Sequence, residues 1–127
     1  MTKGEKTKLR MIEAVIESVA RYGFEFTTAT TISKQAKINR GLIVHYFSTI
    51  EKLIAAGAEQ VNQFSRNRTN ELLLEYKDSP HPVEAYFKAT FGWIKERPHY
   101  GRFLICVISR ALYDKKSVTP VQEIFKN

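Results

Sequence analysis

A chain of 127 residues is long enough for one compact core, or for a small module joined to a small helical domain. Hydrophobic residues make up 43% and charged residues 26%, with fifteen aromatics, which excludes a disordered chain. Twenty Lys and Arg oppose thirteen Asp and Glu, for a net charge of +7; such a balance draws phosphate backbones or anionic membrane surfaces and does not choose between them.

The basic excess is somewhat denser early, with nine basic against five acidic residues through Ile54 and eleven against eight beyond. Cys106 is the single cysteine, so no internal disulfide forms and a reducing cytoplasm fits. The polar, Lys-rich stretch from Met1 to Leu9 is followed by no secretory apolar run, and no segment reaches membrane-spanning length.

The periodicity predicts helix nearly throughout. Leu9, Ile12, Val15, Ile16, Val19 and Ala20 place one apolar stripe on a helix from Lys6 to Tyr22, with Gly23 as a left-handed stop. In the Thr-rich run that follows, Thr28 caps a short helix ending at Ala36. Lys37 and Ile38 form a turn, and Asn39 caps a third helix from Arg40 to Phe47. Thr49 caps a fourth from Ile50 to Lys77, whose polar middle, Ser65 to Asn70, is a candidate kink or simply a wet turn of helix. The prolines at 80 and 82 mark a linker. A fifth helix spans Val83 to Glu96, ended by Pro98, and a sixth apolar helix spans His99 to Tyr113. A loop from Asp114 to Thr119 leads to Pro120, which can open a last short helix.

Thr28 to Phe47 is the informative stretch. Two short helices, a tight turn and a preceding amphipathic helix make the layout of a helix-turn-helix. The second helix is supported from behind by Ile32, Ala36, Ile38 and Ile43. Its outer face carries Asn39, Arg40, Gly41, Leu42, His45 and Tyr46, with the size and polarity a major groove admits. Arg40 suits a guanine edge or a phosphate, Gly41 allows close approach and Leu42 suits a thymine methyl. Thr27 and Thr28 at one helix start, and Lys52 at another, are candidate phosphate contacts.

Leu9 to Leu53 resembles the DNA-binding domain of the TetR (tetracycline-repressor-like) family. The resemblance is carried by Gly23-Phe24, Thr27-Thr28, Ile32, Ala36, Ile38, Gly41-Leu42-Ile43, His45-Tyr46-Phe47 and Glu51-Lys52-Leu53. Five positions depart from the pattern: Ser33 stands where Ala is usual, Lys37 for Gly, Asn39 for Ser or Thr, Val44 for Tyr, and Ile50 for a phosphate-contacting Lys. The resemblance implies an all-α protein with a three-helix DNA-binding domain over residues 1–50. A helical ligand-binding and dimerisation domain, shorter than usual for the family, would occupy 51–127. It further implies a homodimer on double-stranded operator DNA, and repression released by a small apolar or aromatic effector. The effector would be lined by Phe64, Tyr86, Phe87, Thr90, Phe91, Tyr100, Phe103 and Cys106. Trp93 is out of phase with Tyr86, Phe87, Phe91 and Ile94, which places it at an exposed edge or an interface.

Catalysis finds no footing. His45, His81 and His99 lie far apart without metal-ligand spacing, and there is no phosphate loop or nucleophile elbow. No cofactor, no metal and no membrane partner are expected. The competing reading is a basic helical protein-interaction module with a vestigial helix-turn-helix, motivated by Lys37 and Ile50.

Overall fold

A computed structural model describes residues 1–113. The expected loop from Asp114 and the helix at Pro120 lie outside the described residues. Among the described residues seven helices follow in order: α1 Lys3–Tyr22, α2 Ala29–Ala36, α3 Arg40–Tyr46, α4 Ile50–Glu75, α5 Pro82–Phe91, α6 Trp93–Glu96 and α7 Pro98–Tyr113. No strand occurs among the described residues, so the chain is all-α.

The first helix starts earlier than its apolar stripe because its cap is polar. Thr2 Oγ1 accepts the Glu5 N–H at 3.1 Å, and the Glu5 carboxylate accepts the Thr2 N–H at 3.3 Å. At its other end Gly23 adopts φ 82°, ψ 176°. The positive φ is the one a glycine stop supplies, but the extended ψ sends the chain straight out instead of into a left-handed turn. The next three helices are capped by the side chains expected of them: Thr28, Asn39 and Thr49.

Two expectations in the second half need correction. The polar run does not interrupt α4; the helix is continuous, and Arg68 within the run reaches Glu96 (Nε to both carboxylate oxygens, 2.9 Å) and Glu71 (2.9 Å). The predicted helix 83–96 is two helices, broken at Gly92, where a Cβ would overlap the Lys88 carbonyl. Trp93, which opens α6, is buried rather than at an edge. Pro98 likewise opens α7 instead of merely closing the predicted helix 83–96, because its missing N–H costs nothing in a first turn.

One apolar core runs through the molecule. It joins Met11, Val15, Ile16 and Val19 of α1 to Ile32, Ile38 and Ile43 of the α2–α3 unit, Leu53 and Val61 of α4, and Trp93, Tyr100 and Phe103. It therefore crosses the boundary expected near residue 50. The first helix packs on α2, α4 and α7 alike. At Gly57 three helices meet: a Cβ there would lie 3.1 Å from Val15, 3.2 Å from Ile16 and 3.3 Å from Phe103.

Candidate nucleic-acid interface

The α2–α3 unit is fixed by four local devices, each written in a short stretch of sequence. Thr28 Oγ1 accepts the Thr31 N–H (3.2 Å) while the Thr28 N–H donates to Thr31 Oγ1 (2.9 Å), a reciprocal cap that starts α2. Lys37 ends it in the left-handed region, φ 55°, ψ 47°. The N–H groups of Lys37 and Ile38 both return to the Ser33 carbonyl, closing the helix end. The Ser33 hydroxyl then donates across the turn to the Ile38 carbonyl at 2.6 Å, a brace that alanine cannot supply. Asn39 Oδ1 accepts the Gly41 N–H at 2.7 Å and starts α3.

Ile32, Ile38 and Ile43 are buried behind this unit, and Ala36 is half-buried. Burial on one side of a seven-residue helix leaves the other side to solvent. Arg40, Gly41, Leu42, Val44 and His45 are exposed, as is the cap Asn39. Gly41 is smooth for a second reason: a Cβ would sit 3.0 Å from Asn39 Oδ1 and crowd the cap. Val44 was not among the sequence candidates, yet it is 49% exposed and continues the Arg40–Gly41 face one turn on. The i, i+3, i+4 spacing from Arg40 and Gly41 was the available signal.

Other candidates are placed differently. Thr27 cannot meet phosphate: it is buried, its hydroxyl donates to the Gly23 carbonyl (2.8 Å) and pairs with Ser18 Oγ (2.8 Å). It ties the end of α1 to the start of α2. Thr28 is exposed at the α2 start, and Lys52 is exposed in the first turn of α4. Tyr46 is half-buried, with its ring edge-on to His45 at 5.4 Å and its hydroxyl beside Gly4 of α1. Ile50 is half-buried against the core. Sequence reasoning missed Arg10, whose Nη2 donates to the Ala36 carbonyl at 2.5 Å and holds α1 to the end of α2. Nothing local marks that pairing, since the two residues are twenty-six apart.

The predicted effector lining does not come together. Tyr100 and Phe103 are fully buried, and Phe64, half-buried, meets the rings of Tyr100 (5.3 Å) and Trp93 (6.2 Å) edge-on. Cys106 Sγ rests 3.8 Å from the Val19 carbonyl. These residues fill the core rather than surround a space. Tyr86, Phe87 and Phe91 are more than half exposed on the outside of α5, because α5 buries Ala85 and Ala89 instead. Thr90 turns its hydroxyl to the Tyr86 carbonyl at 2.8 Å. An open groove of about 370 Å³ lies elsewhere, between α1 and α7, lined by Glu13, Glu17, Arg21, His99 and Arg102 among others. Beside it Tyr100 donates to Glu13 Oε1 at 2.5 Å and accepts from Arg97 at 3.1 Å. Burial, and then the Glu13 carboxylate, push the Tyr100 phenol above its ordinary range, so it stays a neutral donor.

Among the described residues no three His, Cys, Asp or Glu side chains gather as a metal site, and no helix is long and apolar enough to cross a membrane. No curated protein matches the chain. A crystal structure of a TetR family transcription regulator from Marinobacter aquaeolei VT8 superposes with a TM-score of 0.75 at 19% identity. The match covers 94% of this chain and 62% of that one, so the chain spans less than two thirds of its neighbour's length; at this identity the likeness is one of fold. Residues 11–56 match the family model described as bacterial regulatory proteins, tetR family. That segment holds most of α1, the braced α2–α3 unit and the start of α4, so the chain's similarity to the tetR family of bacterial regulatory proteins lies in its helix-turn-helix.

Proposed function

We propose that the protein is a sequence-specific DNA-binding transcription regulator in which α3 enters the major groove. The observation that carries this reading is the α2–α3 unit itself. Its turn keeps a left-handed residue although Lys37 occupies it, and Ser33 braces it, so α3 is presented with Arg40, Gly41, Val44 and His45 outward. A vestigial motif has no reason to retain that geometry against strain. Arg40 is the base or phosphate contact, Thr28, Asn39 and Lys52 flank it, and Leu42 offers an apolar contact.

A homodimer belongs to this reading, since two readers meet two half-sites. The stacked, exposed rings of Phe87 and Phe91 (6.2 Å) with Tyr86 beside them (6.2 Å) offer a second copy an apolar ridge on α5. Half-exposed aromatics leave roughly 100 Å² each available. The ridge thus supplies only part of the ~800 Å² per partner of a standard interface, and Val83 and Leu74, both exposed, extend it. Repression released by a small apolar effector completes the proposal. Its support is the packing of α7 along α1, through which a ligand that shifted α7 would move the reader.

The test is binding to duplex from upstream of the protein's own gene, beside a scrambled duplex, across a salt series. The expected result is tighter binding to the native sequence that persists as salt rises, with Arg40→Ala losing that preference by about tenfold or more. Equal binding to both duplexes that collapses with salt would leave only phosphate attraction and defeat the reading.

A further inference from the structure

The start of α1 carries cations that the reader's own helices do not account for. Lys3, Lys6, Lys8 and Arg10 fall within its first eight residues, and all four are exposed. Arg10 is committed to the Ala36 carbonyl. No carboxylate pairs with Lys3 or Lys8: the nearby Glu5 is engaged in the Thr2 cap, and the ion pairs among the described residues are made by Arg21, Arg68 and Lys88.

Lys8 is seated against the end of the reading helix, and Lys3 adjoins a second contact with it. Gly4 lies so close to α3 that a Cβ would come within 3.0 Å of the Tyr46 hydroxyl. One turn on, Lys8 Nζ stands 5.8 Å from the centre of the Phe47 ring, at the end of α3. Lys3 immediately precedes Gly4 in the chain, and Lys8 lies one turn beyond it. Rigid presentation follows from the Thr2–Glu5 cap, which makes the first turn helix rather than tail. The Phe47 ring faces the Lys8 ammonium, and Lys8 stays exposed to water.

Scale makes the consequence. A seven-residue helix is about 10 Å long, and a major groove is about 12 Å wide. A cation at the end of α3 therefore stands at the groove wall, where the phosphates run. We infer that Lys3 and Lys8 form a second DNA-backbone contact beside the reader, set by α1 and continuous with the α3 surface. The inference rests on α3 being the reading helix, and it adds a phosphate clamp without base readout.

The experiment compares the full chain with Lys3→Gln/Lys8→Gln on the same two duplexes across the salt series. Lys95→Gln, an exposed lysine on α6, serves as a control for net charge. The double variant should keep the parent's ratio of native to scrambled binding and bind both more weakly. The slope of log affinity against log salt should fall by about 0.9 for each lysine removed, and Lys95→Gln should leave it unchanged. A parent-like slope in the double variant overturns the inference while leaving the regulator reading intact. So does a Lys95→Gln slope reduced as much, per lysine removed, as that of the double variant. A parent that binds neither duplex overturns both. Equal melting temperatures of the variants and the parent establish that the fold is held constant.

Discussion

Thr27 and Thr28 are adjacent, share a side chain and do opposite work. Thr28 faces water and caps α2, while Thr27 faces Ser18 and the Gly23 carbonyl in a buried corner. Removing the Thr27 hydroxyl without changing its shape leaves both partners unsatisfied. Thr27→Val is expected to lower stability by about 1–3 kcal/mol in urea unfolding. The salt slope of DNA binding by the folded variant should match the parent's, because the residue touches no phosphate. The sequence marks a Thr-Thr pair at a helix start but cannot say which hydroxyl turns inward; that is decided by Ser18, nine residues earlier.

The turn between α2 and α3 illustrates a conflict resolved within an element. A left-handed lysine costs about 1–2 kcal/mol relative to a relaxed conformation. The two N–H bonds to the Ser33 carbonyl and the Ser33 hydroxyl bond to Ile38 offset that cost. Lys37→Gly relieves the strain and gives part of the gain back as unfolded-state entropy, so stability should rise by up to about 1 kcal/mol. Lys37→Ala loses the same charge but keeps a Cβ, and denaturant midpoints should show no gain for it. Caps were legible here to the residue, since Thr28, Asn39 and Thr49 each bond a backbone N–H within three positions. The break at Gly92 was not, because the close packing there, against the Lys88 carbonyl and Leu72 of α4, is a matter of tertiary structure.

At the scale of the whole molecule, two apolar surfaces coexist and only one is spent. The core joins α1 to the α2–α3 unit and to α4 and α7, so no gap separates the helix-turn-helix from the rest of the described residues. The second surface, on α5, leaves Val83 70%, Tyr86 59%, Phe87 56% and Phe91 54% exposed. Contiguous apolar area of this kind marks a site of association. If a second copy covers it, Phe87→Glu places a charge in the contact and should weaken self-association at least tenfold in sedimentation, with monomer unfolding unchanged. Unaltered association would move the dimer contact off α5.

The sequence by itself determined most of the helical elements, the caps Thr28, Asn39 and Thr49, the helix-turn-helix and its supporting isoleucines. These follow from interactions between residues one to five positions apart, which a linear pattern records directly. Only the tertiary structure decided which aromatics are inside. Tyr100 and Phe103 pack against Glu13 and Gly57 from distant parts of the chain, while Tyr86 and Phe91 stay outside because alanines make α5's inner face. Helical spacing shows that residues share a face, but the direction of that face depends on what packs against it. For the same reason the placement of Lys8 over Phe47 and of Arg10 on Ala36 became visible only once α1 lay across the reader.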